Sequence, residues 1–219
     1  MQFFHVLFLQ NMSDNSKIVL SAPELIMVND TEWILTKRRI IESAFHLFNK
    51  QVPLQKKILR EIPGMEDPGI LAAVPKIFKG ENYRQLPYVM LDYPAVFKGK
   101  DIFAIRTMFW WGNFFSIVLL LSGKYFDEYK TRLLKKLKID PCEFYFCLSD
   151  SPWEHHFGSD NFIPFADLNS IKSPERDFIK IALKYDLQHW NTMPLLLGEG
   201  FKAISMLLST NCPDDEKDL

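Results

Sequence analysis

The chain has 219 residues, 47% of them apolar and 24% charged, with a formal net charge of −1. That length is ample for a self-sufficient core, and the near-even charge balance excludes the strong positive field by which whole domains attract nucleic acid. The composition departs from the ordinary in its aromatics, at 14% with nineteen Phe, and each buried ring removes about 150–250 Å² from water.

The first ten residues, MQFFHVLFLQ, are apolar but lack a basic start, and no small-residue cleavage site follows them. A secretory signal needs both. A short buried strand and an over-long start ahead of Met12-Ser13-Asp14 both remain open. Asn29-Asp30-Thr31-Glu32 predicts a helix start, with Asn29 as cap and Glu32 three residues on. Trp33, Ile40, Ile41, Ala44, Phe45 and Phe48 continue at helical spacing, and Lys37-Arg38-Arg39 reads as a solvated basic turn. Pro53 is expected to break this helix, leaving Leu54 to Ile62 as a second one. Residues 63–82 carry Pro63-Gly64, Pro68-Gly69 and Pro75 and read as a connection that partly packs down.

Strands are expected over 86–93, ended by Pro94, and then over 102–109, 114–121 and 143–148. Lys124 to Lys138 reads as an amphipathic helix whose late lysines suit its negative C-terminal end. Residues 149–164 are irregular. Ser173-Pro174-Glu175 predicts a further helix continued by Phe178, Ile181, Ala182, Tyr185 and His189, and Leu195 to Leu208 a last one. The charged tail from Cys212 and the first dozen residues are expected to be disordered or atypical.

The run from Ile102 to Leu121 separates a soluble reading from a membrane one. Its uninterrupted part, Met108 to Leu121, is only fourteen residues long and contains Gly112, Asn113 and Ser116. A spanning helix needs about twenty. Reaching upstream brings in Arg106, at a cost of about 2.5–3.5 kcal/mol at a bilayer centre. Two strands joined at Trp111-Gly112-Asn113 fit better. Phe103, Ile105, Thr107 and Phe109 then share the more apolar face. No transmembrane span is expected, and the sparse, odd cysteine count (Cys142, Cys147, Cys212) suits a reducing, cytoplasmic setting.

Candidate chemistry is thin. Arg106, mid-strand among apolar neighbours, must pair with an acid such as Asp92, bind an anion, or face solvent. His155-His156, near Trp153, Glu154 and Asp160, form a metal-like cluster, but neighbours on an extended segment point opposite ways, so no metal and no cofactor are assigned. No phosphate-binding loop, dinucleotide turn or nucleophile elbow is present. Tyr88, Tyr93, Trp110, Trp111 and Trp153 suit the wall of a ligand pocket. Trp110 and Trp111 must face opposite sides, so one of them covers a second surface.

Gly80-Glu81-Asn82-Tyr83, Leu86-Pro87-Tyr88, Leu91-Asp92-Tyr93-Pro94 and Phe109-Trp110-Trp111-Gly112-Asn113 together resemble a family of uncharacterised bacterial proteins. The resemblance covers about residues 80–125 and implies a small cytosolic α+β protein with a helical N-terminus and a central meander. It brings no catalytic residue. The sequence thus predicts one α+β domain over 1–219, a mostly antiparallel sheet of about four strands covered by helices from both ends. The leading expectation is a non-enzymatic domain binding an unidentified small molecule or protein through an aromatic surface. An enzyme built around Arg106, Asp92 and the His155-His156 loop is the alternative, and a peripheral membrane protein the second alternative.

Overall fold

The computed structural model describes residues 19–139, 143–170 and 176–211. The N-terminal segment 1–18, Cys142, the Ser173-Pro174-Glu175 cap and the tail from Cys212 lie outside the described residues. The chain divides into two compact units, Met1–Glu42 and Ser43–Leu219.

In the first unit, α1 (Ala22–Asn29) was not expected from the sequence. Glu24 Oε2 accepts from the Ser21 backbone N–H at 2.7 Å and from the Ser21 hydroxyl at 2.6 Å, fixing the start. The helix buries no residue, and Leu25, Ile26, Met27 and Val28 are exposed. Asp30, not Asn29, caps the next helix, its carboxylate accepting the Trp33 N–H at 3.1 Å. Asn29 instead donates back to the Leu25 carbonyl.

That helix, α2 (Thr31–Glu61), runs through Pro53 rather than breaking. Its second-unit portion buries Ala44, Phe48, Gln51, Gln55 and Leu59. This single stripe spans the proline, and its packing holds the helix where propensity alone would end it. A short α3 (Pro68–Leu71) follows, capped by Asp67.

The second unit is built on one seven-stranded sheet of order β1-β2-β3-β4-β7-β5-β6. Its strands are β1 (Lys76–Tyr83), β2 (Leu86–Lys98), β3 (Asp101–Trp110), β4 (Phe114–Ser122), β5 (Tyr145–Cys147), β6 (Phe162–Pro164) and β7 (Phe178–Asp186). All adjacent pairs are antiparallel. Helices α4 (Lys124–Ile139) and α5 (Met193–Met206) complete it. The α+β class and the antiparallel sheet agree with the sequence reading. Ile102–Leu121 is the β3–β4 hairpin, turning at residues 111–113 with Gly112 at φ 69°. No helix among the described residues is long and apolar enough to cross a membrane.

The strand count differs from expectation. Residues 76–83, read as connection, form the edge strand β1. Gly80 fits there because the Tyr88 ring crosses it, 2.6 Å from where a Cβ would stand. Strand β2 does not stop at Pro94 but continues to Lys98, with the ladder shifted between Asp92 and Ala95. A proline is tolerated inside a sheet at such an irregularity. Residues 178–186, expected to be helix, are β7, inserted between β4 and β5. Phe178, Ile181, Ala182 and Tyr185 do fit a helical period, but Ile179 and Leu183 are apolar too. The first six residues of β7 are all buried, and a strand buried on both faces reads as a continuous run.

Both faces of the sheet are covered. One packs Phe103, Ile105, Thr107 and Phe109, all essentially buried, against helices. Phe103 meets Tyr125 and Tyr129 of α4 at 5.5 and 5.9 Å between ring centres, and Phe115 meets Phe48 of α2 at 6.3 Å. The other face lies under the irregular segment 148–161. Phe157 stacks on Phe162 at 4.6 Å and meets Phe114 and Tyr145 edge-on at 4.9 and 5.0 Å. It thereby links two clusters, one around Met90, Met108, Trp110 and Phe114, the other around Ala104, Val118, Leu120 and Ala182.

Candidate functional site

A cleft opens on this second face. Counted to its mouth it holds about 250 Å³, narrowing to space for about one water-sized group. Strands β3, β4 and β7 supply its floor through Ala104, Arg106, Val118, Leu120 and Lys180. The period-two alternation of strands puts these side chains on the same face, in the register Ala104–Leu120–Lys180. Pro152, Trp153 and His155 roof the cleft and Phe97 completes its rim. The Phe97 and Trp153 rings lie 6.3 Å apart, each about half exposed.

The polar groups form an ordered set. Arg106 and Asp92 are opposite in the β2–β3 register. Arg106 Nε donates to Asp92 Oδ1 at 2.6 Å and Nη2 to Oδ2 at 2.8 Å, a bidentate pair with both side chains largely buried. Its Nη1 reaches His155 Nε2 at 3.3 Å. A guanidinium only donates, so Nε2 accepts and the neutral ring carries its proton on Nδ1. Burial first, then the charges of Lys180, Arg106 and His156, holds the His155 imidazole far below its usual range, so the ring is neutral. Nδ1 is buried and, among the described residues, without a hydrogen-bond partner.

Lys180 sits mid-strand in β7 and is 1% exposed. Nζ donates to the Glu154 main-chain carbonyl and lies 4.9 Å from the centre of the Phe162 ring. Among the described residues no carboxylate comes within ion-pair distance of it. Burial brings its ammonium down to about 8, helped by Arg106 and Arg176 and opposed by Cys147 and Glu154.

Tyr83 fixes the roof. Its phenolic oxygen accepts the backbone N–H groups of His155 at 2.7 Å and His156 at 3.1 Å, and donates to Glu154 Oε2 at 3.2 Å. The Glu154 carboxylate is thereby held on the Arg84 side, with Arg84 at 3.5 Å and His156 Nε2 at 3.6 Å, away from Lys180. The buried thiol of Cys147 donates to Asn161 Oδ1, and Asn161 Nδ2 to the His156 carbonyl at 2.5 Å, which ties the same segment to β5.

Of the residues proposed from sequence, Arg106, Trp153 and His155 line the cleft, and Asp92 stands directly behind Arg106. His156 turns the other way, Nδ1 accepting from the Gly158 N–H and lying 3.7 Å from Asp160. The two histidines thus diverge, as extended neighbours do. Tyr88 and Trp110 pack with Tyr83 in the adjoining aromatic cluster, Trp110 Nε1 donating to the Tyr83 carbonyl. Trp111 is at the hairpin turn, 6.3 Å from Phe109. Tyr93 is buried on the helix-covered face, where burial raises its phenol and Arg60 opposes that. Among the described residues no three His, Cys, Asp or Glu side chains gather as metal ligands. Sequence reasoning missed Lys180. A lone lysine inside FIKIAL was the available signal, and it speaks only once that segment is read as a strand.

No family model matches the chain, and comparison with curated proteins and with solved structures likewise finds no match.

Proposed function

We propose that this protein is a small-molecule-binding protein whose site is the cleft roofed by Trp153. The observation that carries the reading is the convergence of Arg106 and Lys180 from the floor and His155 from the roof of a cleft with otherwise apolar walls, beside an aromatic rim. Apolar pockets with a few convergent polar groups and shifted ionisation are the usual form of a ligand site. A core built only for stability fills such a face with apolar side chains and leaves no buried ammonium unmatched. The polar groups fix orientation and the Phe97–Trp153 rim supplies contact area.

A thermal-shift screen of small organic molecules on the full chain tests this. Compounds that raise Tm should lose affinity in Trp153→Ala, a substitution at a half-exposed site that leaves the fold intact. The reading fails if no compound stabilises the protein, or if every hit is indifferent to both Trp153→Ala and Phe97→Ala.

A second reading, catalysis in the same cleft, is favoured by the Lys180 amine at about 8, close enough to neutrality to act as a base or nucleophile. Irreversible mass labelling of Lys180 by a carbonyl compound plus borohydride would support it, and labelling no faster than at the surface lysines would remove it.

A further inference from the structure

We infer that the ligand enters head-first as a monoanion, a carboxylate, whose oxygen is held between Lys180 and His155. The inference rests on the cleft being the ligand site and names what that site takes.

Three observations carry it. Lys180 is essentially unexposed, and its only hydrogen-bond partner among the described residues is a main-chain carbonyl. An ammonium so placed has been taken from water without a counter-charge, a costly state that an anion relieves. The second is His155, 7% exposed, whose Nδ1 has no hydrogen-bond partner among the described residues. Arg106 occupies Nε2 as a donor, so the orphan Nδ1 carries the hydrogen, and what it lacks is an acceptor. The third is the disposition of the acids. Asp92 is consumed in the bidentate pair with Arg106, and Glu154 is turned to Tyr83, Arg84 and His156. Among the described residues the cleft therefore keeps one net positive charge and two kinds of donor, with no carboxylate of its own against them.

The remaining geometry narrows the class. One uncompensated charge suits a monoanion. The inner space takes about one water-sized group, and most of the cleft lining, including Ala104, Val118 and Leu120, is apolar, so a phosphate dianion would leave most of its oxygens without donors. A single carboxylate oxygen fits, and the body of the molecule then emerges under Phe97 and Trp153. The preferred ligand is a small carboxylic acid with an apolar or aromatic body.

The test is a titration of the full chain, in chloride-free buffer, with acetate, benzoate and phenylacetate, the matching neutral amides, and inorganic phosphate. Binding is read by calorimetry and by the shift in Tm. A carboxylate should bind about tenfold or more tightly than its amide, and Lys180→Met should erase that preference. Lys180→Met removes a buried charge and keeps the apolar stem, so it should fold at least as well as the parent. Trp153→Ala should weaken acid and amide alike.

Equal binding of acid and amide, with Lys180→Met silent and Trp153→Ala harmful, overturns the anion and leaves the cleft reading standing. Phosphate binding more tightly than every carboxylate overturns the monoanion class. Failure of all the carboxylates to bind overturns the inference outright. If no molecule of any kind responds to Trp153→Ala, the cleft reading falls with it.

Discussion

The Asp92–Arg106 pair offers the sharpest test of how the sheet tolerates charge. Both side chains are mostly withdrawn from water, 8% exposed for Asp92 and 16% for Arg106. Two N–H···O bonds of 2.6 and 2.8 Å satisfy both carboxylate oxygens. Asp92→Ala leaves the guanidinium with only the neutral His155 at Nη1, in a cleft that already holds the Lys180 ammonium. Removing one partner of a buried pair costs about 3–5 kcal/mol. The residual exposure of Arg106 gives it some access to water and puts the expected loss near the lower end, about 3 kcal/mol. Replacing both, as Asp92→Leu with Arg106→Met, should recover most of that loss, because no buried charge is then unmatched. The exposed Arg39–Glu32 contact, 60% and 70% exposed, is the internal control. Glu32→Ala should leave the urea midpoint close to that of the parent. Urea unfolding followed by fluorescence reads all three variants. A loss below about 1 kcal/mol for Asp92→Ala, or a double variant no better than the single one, refutes the placement of this pair in a low-dielectric interior.

Tyr83→Phe should cost about 1–3 kcal/mol, because it strips the acceptor from two backbone N–H groups. Amide exchange at His155 and His156 should quicken, and unchanged protection there would refute the role of Tyr83. Lys180 predicts a pH effect of definite sign. Its native ammonium is lowered from 10.5 to about 8, so between those values the unfolded chain holds the proton and the native one does not. Stability attributable to this group therefore rises with pH across that window, by about 3 kcal/mol in full. Lys180→Met should flatten urea midpoints measured from pH 8 to 9, below the ordinary tyrosine range near about 10 where the unfolded chain begins to release the phenolic protons that burial keeps on Tyr129 and Tyr185; a slope unchanged by the substitution refutes the burial of the ammonium. His155, lowered from 6.5, acts the same way at acid pH. Its contribution is present above 6.5 and is lost as pH falls, and His155→Gln should blunt that loss. Gly200→Ala should destabilise by at least about 1–3 kcal/mol, since a Cβ there collides with Tyr185 Oη and comes within 2.9 Å of Ile117 Cδ1; a neutral result would mean that α5 does not seat against β4 as it does here.

What could be read from the sequence was local. The β3–β4 hairpin was legible because a glycine and a polar neighbour interrupt two β-favouring runs. The α4 helix was legible because Tyr125, Tyr129, Leu133 and Leu137 repeat on one stripe. Arg106 stood out because charge inside an apolar strand demands a partner, and Asp92 was the acid on the preceding strand. What escaped was set by contacts distant in sequence. Pro53 is overruled by a packing stripe and Pro94 by a shift in the ladder. Tyr83 meets the segment it anchors more than seventy residues later. The costliest miss was β7, since its apolar spacing satisfies a helix and a doubly buried strand equally well.

That miss concealed the buried lysine of the proposed cleft site, and the register of β7 shows how the lysine is placed. In β7, Ile179, Lys180 and Ile181 pair with Leu121, Leu120 and Leu119, so the isoleucines face the helices and Lys180 alone reaches the cleft. A slip of one residue would turn the lysine toward the helix layer, among Phe103, Phe115 and their neighbours, and take it from the Glu154 carbonyl. The apolar flanks therefore lock the register, and the register places the charge. On a face that must exclude water from both sides of a strand, a lysine is held at this one position by the same hydrophobic burial that depresses its ammonium. If the cleft takes an anion, as proposed, fold stability and ligand charge are coupled through a single side chain, and an anion that matches Lys180 should stabilise the whole sheet and not only the cleft that receives it.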